Sequence, residues 1–508
     1  MCDEGSTFAH TLALVLWRPP RSLALASSSR CSLLYLVHRS NQQALKFNEL
    51  FVELFNPMTV DPARRRSDLE RLLRHEPLSA RQLMQAMGVS QPTLSRVIRT
   101  APDHFTAFRV SGERTPKYGL LRVLPGGLNA RQTIYRVTAA GAMAPYADVE
   151  FLSGGGTVEH ARVGKPSTRL YAGLPPYMLF ASPSGFLGRQ VAHAAAQEMP
   201  LPESLKDWGD EHKIAYLFSR GLNLPGNLIY GGLSLQKEME LGVEDAPVPD
   251  QLEHYVAMAS QLREASYGSS AGGEQPKFLS LSPDVGHVIV KFAKRGSRMG
   301  DLLPLEHLAL RALERVDVAT SATRLLLAQD YVFLEVQRFD RVGRSGRVGM
   351  LSAGAVDDEF FGSRDTWPEF AARCEKAKYL SANDARRIDV MAAFSELIGN
   401  SDRHFENLSL LIDDDGEYLG VAPAYDILPM RYASIGGGID PDLLPIEPKI
   451  GSIGARPEVW ARAAEAAQWF WTEVERGDAD GTVAQEFRVL ASTNRAVAAE
   501  FVRPLLPA

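Results

Sequence analysis

The chain holds 508 residues, 45% hydrophobic and 23% charged, with 55 Lys/Arg against 61 Asp/Glu for a formal net charge of -6. That composition excludes a mainly disordered or fibrous chain, and the length suits roughly two to four domains with cores of their own. Three cysteines cannot frame a disulfide scaffold and no apolar run reaches the roughly 18 residues that span a bilayer, so the sequence predicts a cytosolic protein without a membrane partner.

Residues 1–57 are rich in Ser, Leu and Arg and are broken by Pro19-Pro20. Met58 opens a segment that reads like a natural start, so 1–57 are expected to be a poorly ordered extension from an upstream start codon. They carry 5 Lys/Arg and 4 Asp/Glu, whereas 58–123 carry 12 and 6, and 124–508 hold the remaining 38 and 51. A basic module of net +6 on an acidic body of net -13 points to an anionic partner for the module alone.

Within 58–124 the apolar spacing predicts helices over Arg64–Arg74, over Ala80–Met87 behind a Ser79 cap, and from Ser90 through Leu94, Val97 and Ile98, with Pro92 in its first turn. The Gly88-Val89 turn between the last two is the spacing of a helix-turn-helix. Its second helix then carries Gln91, Thr93, Ser95, Arg96 and Arg99 on the outer face, side-chain types that reach bases and phosphates of double-stranded DNA. Strands over Phe105–Val110 and Tyr118–Val123 would add a wing bearing Arg114 and Lys117.

From Leu128 to about Phe180 the pattern is strand-like, then helices are expected over Arg189–Gln197 and Glu211–Ser219, with a boundary at Pro247–Asp250. A helix over Gln251–Glu264 precedes strands at Lys277–Leu281 and His287–Phe292, a helix at Leu305–Arg315, and strands at Thr323–Ala328 and Val332–Phe339. Beyond Asp365 the chain reads as mostly helical. The class is therefore α+β, a strand-rich lobe followed by a helical one.

The chemistry concentrates at Asp402-Arg403-His404-Phe405-Glu406-Asn407. This loop follows a helix over Asp384–Leu397 and precedes a hairpin and Tyr425-Asp426. An Asp and an Asn five apart on a loop, with another Asp after a hairpin, is the order phosphoryl transfer uses: the first Asp takes the acceptor proton while the Asn and second Asp hold Mg²⁺. The turn Asp413-Asp414-Asp415-Gly416 lacks the ligand pattern of a calcium loop and reads as a hairpin turn. Upstream, Lys291 lies inside an apolar strand, where a lysine needs a partner, and Glu306 on the next helix is a candidate. Small residues before Lys277 would let backbone N–H groups approach phosphate.

Four stretches together resemble the HipA-type toxin kinases: Ser270-Ala271-Gly272-Gly273-Glu274-Gln275-Pro276-Lys277, Gln337-Arg338-Phe339-Asp340-Arg341, Asn400 to Asn407, and Tyr425-Asp426-Ile427-Leu428-Pro429. The leading helix-turn-helix resembles the YjjJ branch of that family. The resemblance implies a HipA N-terminal subdomain over 125–250, a kinase-like N-lobe over 251–335 and a helical C-lobe over 336–508. It also implies a Mg-ATP-dependent Ser/Thr protein kinase, with Asp402 as catalytic base and Asn407 and Asp426 as Mg²⁺ ligands. Lys291, Gly272, Gly273, Gln275, Lys277, His404 and Glu335 (which with its neighbours falls at the adenine hinge) would bind nucleotide with those ligands and Ser270. Ser270, or Ser269 beside it, aligns with the serine that family members autophosphorylate, where about two added negative charges would repel nucleotide. The family expectation for substrate is a translation component such as an aminoacyl-tRNA synthetase. Relatives pair with a separate helix-turn-helix antitoxin, a function this chain's own leading module would supply in cis. The motifs leave open a transcriptional regulator with a nucleotide-sensing body, or a small-molecule kinase.

Overall fold

The computed structural model describes residues 62–244, 250–264, 275–435, 438–477 and 482–507. The expected extension 1–57, most of the boundary at Pro247–Asp250, and Ser269, Ser270, Gly272 and Gly273 lie outside the described residues.

The N-terminal module runs α1 (Pro62–Leu72), β1 (Leu78–Ser79), α2 (Ala80–Met87), α3 (Gln91–Arg99), β2 (Phe105–Phe108) and β3 (Lys117–Leu120). Ser79 and Gln82 close a capping box on α2, and Gly88, at φ 63, takes the left-handed position that ends it. Leu69, Leu73, Leu83, Leu94, Val97 and Phe105 form its core, and the three strands pair in the order β1-β3-β2. The two-residue β1 is too short to leave a sequence signal.

A five-stranded antiparallel sheet follows, built from β4 (Arg131–Val137), β5 (Met143–Phe151), β6 (Thr157–Ala161) and β7 (Ser167–Tyr171), and later β8 (Leu228–Tyr230), in the order β7-β6-β5-β4-β8. Between β7 and β8 run α4 (Pro176–Ala181), α5 (Gly185–Glu198) and α6 (Asp210–Arg220), and α7 (Gly231–Glu244) follows β8. The strand-like expectation up to Phe180 is corrected here: Tyr177–Phe180 belong to α4, started by Pro175-Pro176. The module is joined to this sheet by Phe108, Leu121, Ala130, Leu152 and Val158, which share one apolar cluster. Backbone bonds run from Arg122 N–H to Phe151 O (2.8 Å), Ser153 N–H to Leu120 O (2.8 Å) and Ser111 N–H to Thr168 O (2.8 Å).

After α8 (Gln251–Glu264) comes a four-stranded antiparallel sheet of β9 (Lys277–Ser282), β10 (Gly286–Lys294), β11 (Thr323–Leu327) and β12 (Tyr331–Gln337), ordered β11-β12-β10-β9, with α9 (Arg298–Glu314) between β10 and β11. Helix α9 begins more than a turn before the expected Leu305, because Ser297 caps it and Pro304 is tolerated inside it.

Short pairs β13 (Arg341–Val342) with β14 (Gly346–Arg347), then β15 (Gly349–Ser352), α10 (Ala353–Phe360), α11 (Trp367–Lys376) and α12 (Ala382–Ile398), lead to the hairpin β16 (Ser409–Ile412) and β17 (Tyr418–Val421). The chain closes with α13 (Pro457–Arg476) and α14 (Gln485–Val502). The main core lies here, with Phe394, Trp460, Phe470, Trp471 and Phe487 fully buried. The expectation of a mostly helical end is corrected over 422–456, whose described residues hold short 3₁₀ turns and isolated bridges but no α-helix.

Candidate active site

Strand register lays two rows of side chains across one face of the four-stranded sheet. Lys291 of β10 stands opposite Lys277 of β9, while Ile289 stands opposite both Leu279 of β9 and Val336 of β12. The rows are two residues apart along the strands, about 7 Å, so a row of cations borders a row of apolar side chains. The opposite face carries Phe278, Val288, Val290, Phe292 and Phe333, which pack on Tyr255 of α8.

Lys291 is 5% exposed and Glu306 of α9 is 0% exposed, and the Lys291 ammonium donates to the Glu306 carboxylate at 2.6 Å. Lys291 also contacts Asp426. Burial opposes the ammonium, but Asp426 and Glu306 outweigh it and push its pKa above the ordinary lysine value. Burial likewise works to raise the Asp426 carboxyl, yet Lys291 and Lys277 prevail and hold it at about 2. Glu306, without solvent, is raised above the ordinary carboxylate range by burial despite Lys291. Asp426 sits in the left-handed region at φ 53, a strained place for a residue with a Cβ. Its neighbour Tyr425 fixes the turn: its hydroxyl donates to Glu406 O at 2.8 Å and accepts from Ser409 Oγ at 2.7 Å.

The loop after α12 is built by a second set of bonds. Ser381 caps that helix and Gly399, at φ 77, ends it. Buried Asn400 then accepts the Asp402 N–H on its Oδ1 at 3.0 Å. From the other side Asn407 donates its Nδ2 to Asp402 O at 3.0 Å. The Asp402 backbone is therefore pinned between two asparagines, while its side chain stays 45% exposed. His404 lies 3.7 Å from Asp402 and 3.3 Å from Glu406, and Arg364 holds Glu406 at 2.6 Å. The bond to Glu406 raises the His404 pKa, and Asp402 adds to the effect. Glu406 in turn is lowered to about 2 by His404 and Arg364.

A cleft of about 330 Å³ lies over the sheet face, lined by Lys277, Leu279, Ile289, Lys291, Val336 and Asp426 among others. That is the size of a small-molecule site with a few convergent polar groups. A second, more polar cavity of about 400 Å³ opens on Asp402, His404, Thr366, Glu396 and Ser452.

The structure thus brings Lys277, Lys291 and Asp426 together in the cleft, and ties Asn407 and His404 to Asp402 beside it. Gln275 donates its Nε2 to Phe292 O at 2.7 Å and is not among the residues that line the cleft. The Glu335 side chain does not face the cleft. Standing opposite Val290, it points to the α8 face, where Tyr255, Gln251 and Arg324 Nε bond its carboxylate at 2.8, 2.6 and 2.7 Å. Val336, Gln337 and Phe339 line the cleft in its place. The motif Gln337 to Arg341 has a further part the sequence did not disclose. Arg338 and Arg341 grip the Asp340 carboxylate at 2.8 and 2.7 Å and hold the 223–226 turn through Asn223, Leu224 and Gly226.

In the N-terminal module, Gln91, Arg96 and Arg99 of α3 are exposed, with Thr93 and Ser95 half-buried beside them. Arg99 donates to Ser95 O at 3.2 Å, Arg114 is exposed in the β2–β3 connection, and Lys117 pairs with Glu113 at 2.9 Å. Among the described residues no helix is long and apolar enough to cross a membrane.

Two family models match the chain: the YjjJ-like toxin middle domain over residues 128–239 and the HipA-like C-terminal domain over 269–489. The Toxin YjjJ of Escherichia coli (strain K12) is 32% identical over 438 residues, covering 84% of this chain and 96% of that protein. Among solved structures, a chain of the Shewanella oneidensis MR-1 toxin–antitoxin complex of HipA, HipB and operator DNA is 14% identical, with a TM-score of 0.46 over 73% of this chain and 99% of that one. The Helicobacter pylori proinflammatory kinase CtkA is 10% identical, with a TM-score of 0.32 over 45% of this chain and 94% of that one. With 32% identity along an alignment that takes in nearly the whole of a YjjJ toxin and both family models matched in order, the chain belongs to the HipA-type toxins, in their YjjJ-like branch.

Proposed function

We propose that this toxin is a Mg-ATP-dependent Ser/Thr protein kinase. The observation that carries the reading is the pair of rows on one sheet face, lysines beside apolar side chains, with Lys291 gripped by Glu306 and Asp426. Triphosphate suits the cation row and a base suits the apolar row. Among the described residues no group of three or more His, Cys, Asp and Glu is placed to hold a metal. Asn407 and Asp426 offer two oxygen donors, which fits an ion such as Mg²⁺ that takes its other ligands from phosphate and water. The Asn407 amide nitrogen is spent on Asp402 O, which leaves its oxygen for such an ion. When bound, the ion would neutralise charge on the transferring phosphoryl group.

Asp402 has the freedom the reaction needs: a fixed backbone and a carboxylate open to a large acceptor. It would accept the acceptor hydroxyl's proton as that oxygen bonds the γ-phosphorus. The bond from phosphorus to the bridging oxygen breaks, and its electron pair leaves with ADP. A protein acceptor would approach over the polar cavity on the Asp402 side, and a translation component is the expected class.

The N-terminal module supports a second role, as a winged helix-turn-helix that binds double-stranded DNA and stands in for, or meets, an antitoxin. Its order of helices and strands and the exposed Gln91, Arg96 and Arg99 favour that reading. Purified protein incubated with Mg-ATP beside an Asp402→Asn control tests the kinase. A gain of one phosphate by intact mass, absent in the control and mapping to Ser269 or Ser270, is expected. An unmodified starting protein that gains none would overturn the kinase reading and leave the DNA-binding regulator.

A further inference from the structure

A third cavity, of about 70 Å³, lies where the five-stranded sheet meets the β15–β16 pair. The sheet and its helix α4 line it with Arg136, Tyr146, Tyr177 and Tyr230, and the later body lines it with Met350 and Asp413. Met350 and Pro225, on the turn that the Arg338 and Arg341 clamp holds through Asp340, line the cleft over the four-stranded sheet as well and so part the two spaces. Lys277, Lys291 and Asp426 are not among the residues that line the smaller one. Arg136 follows Ile134 by two along β4 and so shares the face that buries Ile134 in the sheet's core. Its Nε and Nη1 are shut off from solvent and have no hydrogen-bond partner among the described residues. Arg347 and Arg373 also leave one buried nitrogen unpaired, but Glu238 and Asp357 neutralise them at 2.7 and 2.9 Å. Buried polar groups in native folds are nearly all paired, and a charged one left alone is the most costly. The Tyr177 and Tyr230 hydroxyls are already spent, on Glu159 and on Tyr177 O.

We propose that this cavity is a binding site for inorganic phosphate, held by Arg136 and discriminated by Asp413. The volume is several times the ~10–15 Å³ that one water needs, room for an ion of about five heavy atoms. The guanidinium calls for an anion, and the carboxylate that shares its cavity narrows which. Asp413 spends its Oδ1 on the Asp415 and Glu417 N–H groups, at 2.8 and 2.9 Å, which leaves Oδ2 to accept from a ligand. Inorganic phosphate near neutral pH keeps a P–OH to donate there. Sulfate is fully ionised and would meet the carboxylate with charge alone. Strand β16, which brings Asp413 to the cavity, leaves the loop of Asp402 and Asn407 directly. Bound phosphate would thus tie the five-stranded sheet to the hairpin behind that loop, a link that needs no nucleotide.

Calorimetric titration of the full chain with inorganic phosphate and with sulfate, without Mg²⁺ or nucleotide, tests the assignment. Wild type should bind phosphate about tenfold or more tightly than sulfate. Arg136→Met should weaken phosphate by about tenfold or more. Because that change removes an unpaired buried cation, the variant's urea midpoint in phosphate-free buffer should not fall below wild type. Asp413→Asn keeps the Oδ1 that the turn's amides use; it should bring phosphate and sulfate within about threefold of one another, and it keeps the test available if Arg136→Met misfolds. Wild-type phosphate affinity in Arg136→Met would overturn the site and place the ion on the cleft lysines instead. Equal affinity for the two ions in wild type, or discrimination that survives Asp413→Asn, would overturn the assignment to phosphate. A wild-type chain that binds no phosphate would overturn the proposal and leave a cavity for water.

Discussion

Replacing Asp340 by Asn tests the arginine clamp through its charge alone, since the two side chains have nearly the same shape. Asp340 is 3% exposed and accepts from Arg338 Nε and Nη2 at 3.0 and 2.8 Å, from Arg341 Nη1 at 2.7 Å and from Gly226 N–H at 2.8 Å. Burial works to raise its carboxyl, but the two guanidinium groups outweigh it and lower it from 3.8 to about 2. At about 1.4 kcal/mol per pKa unit, the ionised form contributes about 2 kcal/mol to the folded state. The sign follows from the depressed value: the contribution is complete above the unfolded pKa near 3.8 and is lost as pH falls through about 2. The variant also leaves two buried arginines without their counter-ion, and breaking such a group typically costs about 3–5 kcal/mol. Asp340→Asn should therefore lose between about 2 and 5 kcal/mol at pH 7, read from the urea midpoint at unchanged slope. The gap to wild type should shrink by about 1 kcal/mol at pH 3, where the carboxyl of the unfolded wild-type chain is already largely protonated. A loss under about 0.5 kcal/mol at pH 7, or a gap that does not narrow at pH 3, would refute the reasoning.

Lys291→Met leaves the fully buried Glu306 beside Asp426 with no cation between them. It should abolish phosphate gain in the intact-mass assay and destabilise the chain by about 3–5 kcal/mol, checked by thermal melting. Arg324→Leu strands the 0% exposed Glu335 carboxylate among neutral donors; a comparable loss in the urea midpoint is expected, with the cleft's nucleotide affinity unchanged because Glu335 faces away from it. Arg99→Ala should weaken DNA binding evenly across sequences and reduce the slope of log affinity against log salt by about 0.9 for each phosphate it no longer neutralises, measured by fluorescence anisotropy over a salt series.

The parts of the site that a sequence can show are those whose chemistry conflicts with their setting. Lys291 in an apolar strand is such a conflict, and so is an Asp-x4-Asn loop between a helix and a hairpin. The caps at Ser79, Ser297 and Ser381 and the left-handed glycines Gly88 and Gly399 mark element ends by local rules, although Pro304 masks the start of α9 and hides Ser297 as its cap. The facing of Glu335 is hidden for a different reason. All six residues from Tyr331 to Val336 are buried, so β12 has no alternation to say which side chains face the cleft. Only the pairing of Val336 with Ile289 and of Glu335 with Val290 decides it. The hold of the arginine clamp on the 223–226 turn is invisible in sequence because it depends on bonds between residues more than a hundred positions apart, such as Arg338 with Asn223 and Asp340 with Gly226.

The join between the N-terminal module and the five-stranded sheet changes what a shortened chain would mean. Cutting after residue 124 would not lift off a bead on a string. It would bare Leu152 and Val158, take their partners Phe108 and Leu121 away, and leave the Phe151 carbonyl and the Ser153 amide without the strand they now bond. A truncated protein that loses activity or precipitates would therefore report a wounded surface, not a missing regulator. Point changes at Arg96 and Arg99, which leave the seam closed, are the cleaner way to separate what the module binds from what it shields. Over generations the same seam would resist loss of the module, since a shorter chain would need compensating changes along the sheet edge it covers.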